Sequence, residues 1–379
     1  MSSTVKSLKV TYSPVNESNT FRSGDCVSGQ VALEVAKDCE IQSLSIKFKA
    51  KAEVMWSERH GQTTHYYHSK DKYFSTTHYF VRDKDKKDGD FETLLTQQNG
   101  ATYGNVVAPG CHVYPFSFVI PPGDLPSSFK GEYGKIVFLL EAKLSRSMRI
   151  SKTDTAKLNF VSSVNMNLLP EITVPQHDTV EKKMKVFSSG AVSMDARLEK
   201  TGFVQGEGIK VLVCAQNNSS RPIKPKFCIY TKHCFFAEGK RKCYTKDLLK
   251  EVGNPIPPSS NENVTKIINV PHDVQPSILN CQIITVEYRL RVYLDVKYAS
   301  DPEIKFPIII LPAAGVPSDF LPQAAAATFG FEALNIQNQP SFAYSPLQEL
   351  PEATHNAEAP PPYGAHSMYP TYSITGLKY

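Results

Sequence analysis

Four residues near the end of the chain, Pro360-Pro361-Pro362-Tyr363, combine residue types and spacing that suit one binding chemistry. Consecutive prolines fix φ and pre-form a polyproline II helix. Such a helix loses little entropy when it docks into an aromatic-lined groove, which is what WW domains offer. Tyr363 stands two residues after Pro361, so the string fits the Pro-Pro-x-Tyr pattern that WW domains read. A second string, Tyr369-Pro370-Thr371-Tyr372, keeps Pro370 and Tyr372 but has tyrosine where the first proline belongs. Half of its polyproline platform is lost, and it reads as a degenerate copy. Avidity comes from linked sites, so the binding element rests on Tyr363.

No catalytic constellation accompanies it. The chain has no Gly-x-Ser-x-Gly elbow, no phosphate-cradling glycine loop and no His-Glu-x-x-His. The ten histidines fall mostly between His60 and His78 or near isolated turns, where a polar, solvent-facing hairpin accounts for nearly all of them. Cys228, His233, Cys234 and Cys243 lie near one another in sequence, but their spacing matches no zinc-ligand pair. The expectation is a non-enzyme with no cofactor and no metal.

Composition narrows the partners. The net charge of +5 over 379 residues is too small for a dedicated nucleic-acid binder, which would concentrate a stronger basic stripe. It suits contact with an anionic membrane surface or with acidic partners. The clusters Lys182-Lys183-Met184-Lys185 and Lys240-Arg241-Lys242, with Lys224 and Lys226, read first as solvated charge, although they could hold phosphorylated tails or lipid headgroups. The start of the chain has no apolar core of a secretory signal, and no apolar run reaches the length of a membrane span. A cytosolic or peripheral protein is expected, and its eight scattered cysteines then read as free thiols.

The elements that carry the tail are strands. Leu44, Ile46, Phe48, Ala50, Ala52, Val54 and Trp56 occupy alternate positions, as do Val286, Tyr288, Leu290, Val292, Leu294, Val296 and Tyr298. Period-2 alternation of this length predicts long strands with one buried face. Shorter alternating runs at Leu8–Tyr12, Val31–Val35 and Ile136–Leu144, separated by Gly/Asp/Pro turns, indicate β-sandwiches.

The chain also repeats itself. Phe21-x-x-Gly24-Asp25-x-Val27 returns as Phe203-x-x-Gly206-Glu207-x-Ile209, and Ile136–Leu144 returns as Val286–Leu294. The offset falls from 182 to 150 between these anchors. The first copy therefore holds a long insertion, placed within 57–105 and expected to form an extra hairpin and a mobile loop. The proposed division is 1–170 and 171–312 for two all-β sandwiches, with 313–379 a Pro-, Ala-, Ser- and Gln-rich tail. That tail lacks the alternation needed to bury a face and is expected to be disordered.

Two tandem sandwiches, the Gly24-Asp25-x-Val27-x-Gly29 turn, Pro121-Pro122-Gly123-Asp124-Leu125-Pro126-Ser127-Ser128-Phe129 before a long strand, and the Pro-Pro-x-Tyr tail occur here in this order. Together they resemble the arrestin domain-containing proteins, or α-arrestins, and the vertebrate members in particular. The resemblance implies two arrestin-like, immunoglobulin-like β-sandwiches acting as an adaptor. In such an adaptor Pro360, Pro361, Pro362 and Tyr363 recruit WW-domain HECT-type ubiquitin ligases. The sandwiches engage membrane receptors or transporters as cargo, which is ubiquitylated, endocytosed and sorted with the endosomal machinery. The protein would then be cytoplasmic and recruited to plasma membrane and endosomes. A ligase-independent scaffold in endosomal transport is the alternative. Family members usually carry two tail motifs, and this chain departs from that pattern at Tyr369.

Overall fold

The computed structural model describes residues 4–82, 92–163, 169–183, 190–297 and 300–313. Two β-sandwiches follow one another along the chain. In the first, a three-stranded sheet (Val5–Tyr12, Cys26–Val35, Gly110–Val119) covers a seven-stranded one. The latter runs in the order Thr20–Phe21, Arg149–Phe160, Gly134–Arg146, Ser43–His60, Thr63–Val81 and Glu92–Leu94, with Phe129–Lys130 added beside Gly134–Arg146. In the second, a four-stranded sheet (Gln176–Lys183, Ala191–Leu198, Gly208–Asn217, Ser260–Asn269) covers a five-stranded one. Its order is Gly202–Val204, Glu303–Leu311, Ile284–Asp295, Lys224–Ala237, Lys240–Val252.

The alternation maps onto burial as the pleat requires. Leu44, Ile46, Phe48, Ala50, Ala52, Val54 and Trp56 are all buried, and so are Val286, Tyr288, Leu290, Val292 and Leu294. Phe138 stacks on Phe160 with centroids 4.2 Å apart, and Phe48 lies edge-on to Phe74 at 4.9 Å. Such ring pairs contribute about 0.5–1.5 kcal/mol beyond their area.

The internal repeat is a repeat of hydrogen bonds. Asp25 accepts from the Arg22 N–H through Oδ2 at 2.8 Å, and Glu207 accepts from the Val204 N–H through Oε2 at 2.8 Å. Gly24 and Gly206 sit at φ 87° and 84°, a region that costs glycine nothing, and their N–H groups donate to Ile120 and Val270 at 3.0 Å. Ser128 Oγ accepts from the Phe160 N–H, and Ser277 Oγ from the Ile310 N–H, each at 2.9 Å.

The insertion corrects one expectation. Among the described residues the long hairpin Ser43–His60/Thr63–Val81 is not an addition, because it has a direct counterpart in Lys224–Ala237/Lys240–Val252. Instead its arms are longer, 18 and 19 residues against 14 and 13. The remainder lies in the connection 82–109, where the second copy uses only 253–259. Lengthening a paired strand adds ladder hydrogen bonds without disturbing the core, so growth at the hairpin end is tolerated. The expected mobile loop falls partly on 83–91, outside the described residues.

Candidate functional site: the tail motif and two surfaces of the sandwiches

Pro360, Pro361, Pro362 and Tyr363, together with Pro370 and Tyr372, lie outside the described residues, as does the whole tail from 314. What the structure does describe is the body that would carry this tail, and two of its surfaces have built chemistry.

The first surface joins the sandwiches. Phe235, fully buried on Lys224–Ala237, faces Tyr133 of the first sandwich edge-on at 5.7 Å and Phe129 at 6.4 Å. Tyr244 lies 6.3 Å from Tyr133 and donates or accepts a 2.7 Å hydrogen bond with His233 Nδ1. Burial pushes the His233 imidazole below its ordinary range. Gly134 meets the Phe235 ring closely enough that a Cβ would stand 2.9 Å from it. Polar contacts rim these rings. Tyr73 Oη donates to Cys281 Sγ at 3.2 Å, and burial drives that phenol well above its usual range. Asn280 Nδ2 donates to Asp124 Oδ1 at 2.6 Å. Lys242 Nζ donates to Glu58 Oε1 at 3.0 Å and lies 5.8 Å above the Tyr133 ring.

One expectation about the cysteines is overturned here. Cys234 and Cys243 are joined by a disulfide with Cα atoms 4.2 Å apart, and the other six cysteines are free. The reason is register. Ala237 pairs with Lys240 across Glu238-Gly239, both at positive φ, so this two-residue turn sets Cys234 opposite Cys243. Sulfurs on directly opposed residues fall within bonding reach. The signal was present in the sequence, since the two cysteines are equidistant from Glu238-Gly239.

The second surface is the outer face of the seven-stranded sheet. Cross-strand partners share a face, and the register therefore shows which side chains stand together. Lys47, Lys49 and Lys51 alternate with the buried residues of Ser43–His60. Lys51 pairs with Lys72, Glu53 with Lys70 and Lys135, Ser45 with Lys143, Leu139 with Lys157, and Lys135 with Lys130. Nine lysines thus share the face with three carboxylates, Glu53, Glu141 and Glu92, the last opposite Thr77. Lys51 reaches Glu53 at 2.8 Å, Lys135 reaches it at 3.6 Å, and Lys49 reaches Glu141 at 2.8 Å. The hydrogen bond from Lys51, reinforced by the Lys51 and Lys135 charges and by His68, holds the Glu53 carboxyl down to about 2. The other six lysines have no carboxylate partner among the described residues.

Sequence reading singled out different cations. Lys242 pairs with Glu58, Lys226 with Asp295 at 2.7 Å, and Lys182 donates to Ser300 Oγ at 2.8 Å. The structure does not assemble them into one patch, and 184–185 lie outside the described residues. The lysine face was missed because its members come from five separate strands. Its one local signal is Lys47-x-Lys49-x-Lys51. Among the described residues no group of histidines, cysteines and carboxylates is placed to hold a metal, and no helix is long and apolar enough to cross a membrane.

Comparison with known proteins adds a family. Residues 9–167 match the arrestin (or S-antigen) N-terminal domain, and residues 188–314 match the arrestin C-terminal domain. The chain is 30% identical to Arrestin domain-containing protein 4 of Homo sapiens over 95% of its own length and 81% of that protein. It is 29% identical to Arrestin domain-containing protein 4 of Mus musculus over 81% of its length and 72% of that protein. It is also 28% identical to Thioredoxin-interacting protein of Homo sapiens, covering 94% of the chain and 87% of that protein.

Proposed function

This chain belongs to the arrestin family, in its arrestin domain-containing (α-arrestin) branch, and we propose that it is an adaptor bringing a WW-domain HECT-type ubiquitin ligase to membrane receptors or transporters. An arrestin-fold adaptor or scaffold is what membership establishes. The ligase step rests on one observation, the Pro360-Pro361-Pro362-Tyr363 string placed about 50 residues beyond the last strand, Glu303–Leu311. A linker of that length spans tens of ångströms even as a random coil. A ligase bound at the tail can therefore reach cargo held elsewhere on the sandwiches. The outcome for the cargo is ubiquitylation, endocytosis and endosomal sorting, with the adaptor moving from cytoplasm to plasma membrane and endosomes.

The test compares the wild-type chain with Tyr363→Ala for capture of a WW-domain ligase and for cargo turnover. Loss of both supports the adaptor. Retained sorting with no ligase capture would replace it with a ligase-independent endosomal scaffold.

A further inference from the structure

The duplication supplies an internal comparison for the lysine face. The five-stranded sheet of the second sandwich is the structural counterpart of the seven-stranded sheet, strand for strand along the long hairpin and the strand beside it. Its outer face carries Lys224, Lys226, Lys232, Lys250, Arg289, Arg291 and Lys305 against Asp247, Glu287, Asp295 and Glu303. There five of the seven cations are paired: Lys226 with Asp295, Lys250 with Asp247 at 2.7 Å, Lys232 with Glu287 at 3.5 Å, Arg291 and Lys305 with Glu303. One copy thus sets four carboxylates against seven cations on its outer face and pairs five of them, and the other sets three against nine and leaves six lysines without a carboxylate partner among the described residues.

The shape of the charge selects the partner. The unpaired lysines spread over neighbouring strands about 4.8 Å apart and along them at about 7 Å per two residues. They form a two-dimensional array rather than a line. No arginine accompanies the nine lysines at its centre, so the array lacks the planar forks that read a single carboxylate or phosphate by geometry. Lys130, Lys135 and Lys157 line a hollow of about 400 Å³ together with Ser128, Val137 and Gln275. Met55 is 63% exposed beside His68 on the same face. Mobile point charges on aliphatic stems, with apolar side chains between them, suit the interface of an anionic bilayer.

The geometry points to this face as a docking surface for an anionic phospholipid membrane, with Lys47, Lys70, Lys72, Lys130, Lys143 and Lys157 as its unpaired cations. This deepens the membrane-adaptor reading and rests on it for its purpose, but not for its chemistry. The binding is electrostatic, with each lysine near the surface contributing about 1 kcal/mol, or roughly fivefold in affinity.

The experiment uses the full chain with cargo-free and ligase-free vesicles, so its failure leaves the Tyr363 test untouched. Co-sedimentation is measured with phosphatidylserine–phosphatidylcholine vesicles and with phosphatidylcholine alone. Binding to the anionic vesicles only, weakening with added salt, is expected. The triple variant Lys47→Gln/Lys72→Gln/Lys157→Gln should bind about 100-fold more weakly. The triple Lys226→Gln/Lys232→Gln/Lys250→Gln on the other sandwich should bind almost as wild type. Glu53→Gln removes a negative charge without removing a lysine and should bind more tightly, which guards against a folding defect in the first triple. Equal binding to both vesicle types, or equal loss in the two triples, would overturn the proposal. So would a Glu53→Gln variant that binds no more tightly. If a soluble phosphopeptide binds this face and the anionic vesicles do not, the membrane is the wrong partner.

Discussion

Lys242 of the second sandwich holds Glu58 of the first, Nζ to Oε1 3.0 Å, directly beside the ring of Tyr133. The pair is a landmark of the interface rather than its source of strength, because both side chains remain about one-third exposed and exposed pairs gain little over water. Phe235, fully buried between Phe129, Tyr133 and Tyr244, has the larger role. In chemical denaturation Phe235→Ala should lose about 3–5 kcal/mol, while Lys242→Met leaves the midpoint nearly where it was. A large loss in Lys242→Met with none in Phe235→Ala would reverse this assignment.

The disulfide is checked by counting thiols. The denatured, unreduced chain should titrate six thiols, those of Cys26, Cys39, Cys111, Cys214, Cys228 and Cys281, and eight after reduction. A bridge closing so short a loop restricts the unfolded chain by about 2–3 kcal/mol in the chain-entropy account. Cys234→Ser/Cys243→Ser should lower stability by that order while leaving the hairpin paired.

Asn217 is buried completely and is fully engaged. Its amide donates to the carbonyls of Arg221, Ile256 and Pro257, and its Oδ1 accepts from the N–H and hydroxyl of Ser219. Asn217→Leu keeps the volume but strands these groups away from water. A loss of about 2–4 kcal/mol is expected from several unsatisfied buried partners, read as a lowered denaturation midpoint. Asn217→Asp should also destabilise, since a carboxylate cannot donate to three carbonyls.

Glu53 sets a pH dependence whose sign follows from its depressed pKa. The carboxylate is favoured in the folded chain, so its contribution is present above the ordinary value of 4.5 and is lost as pH falls through about 2. The stability difference between wild type and Glu53→Gln should therefore shrink from about 1–3 kcal/mol at neutral pH towards zero in that window. A carboxyl resonance of Glu53 titrating near 4.5 by NMR would refute the network around it.

Phosphorylation of Tyr363 would add about −1.5 to −2 charges to a ring that must enter an aromatic groove. A tail peptide phosphorylated there should lose WW-domain binding relative to the unmodified peptide in calorimetry. Equal affinity would show that the ring does not enter such a groove.

Much of this molecule was legible beforehand, for reasons that differ by element. Alternation in Leu44–Trp56 and Val286–Leu294 gave strands and faces, because a pleat sends successive side chains to opposite sides. The Gly24-Asp25 and Gly206-Glu207 strings gave the duplication, because each must build the same turn. The long hairpin was misjudged as an addition. Its second copy carries a single histidine, His233, and fewer aromatics than the first, and pairing depends on register rather than composition.

The sequence alone determined two tandem sandwiches, the family they belong to, and the one intact Pro-Pro-x-Tyr string that reaches beyond them. Each is encoded in residues close together along the chain. Tertiary structure decided what depends on residues far apart: the Cys234–Cys243 bond, the Phe235 seat at the junction, and the lysine array. Lys47, Lys72, Lys135 and Lys157 are distant in sequence and meet only because four strands pair in a definite register, and a shift of one residue would send each strand's lysines to the opposite face.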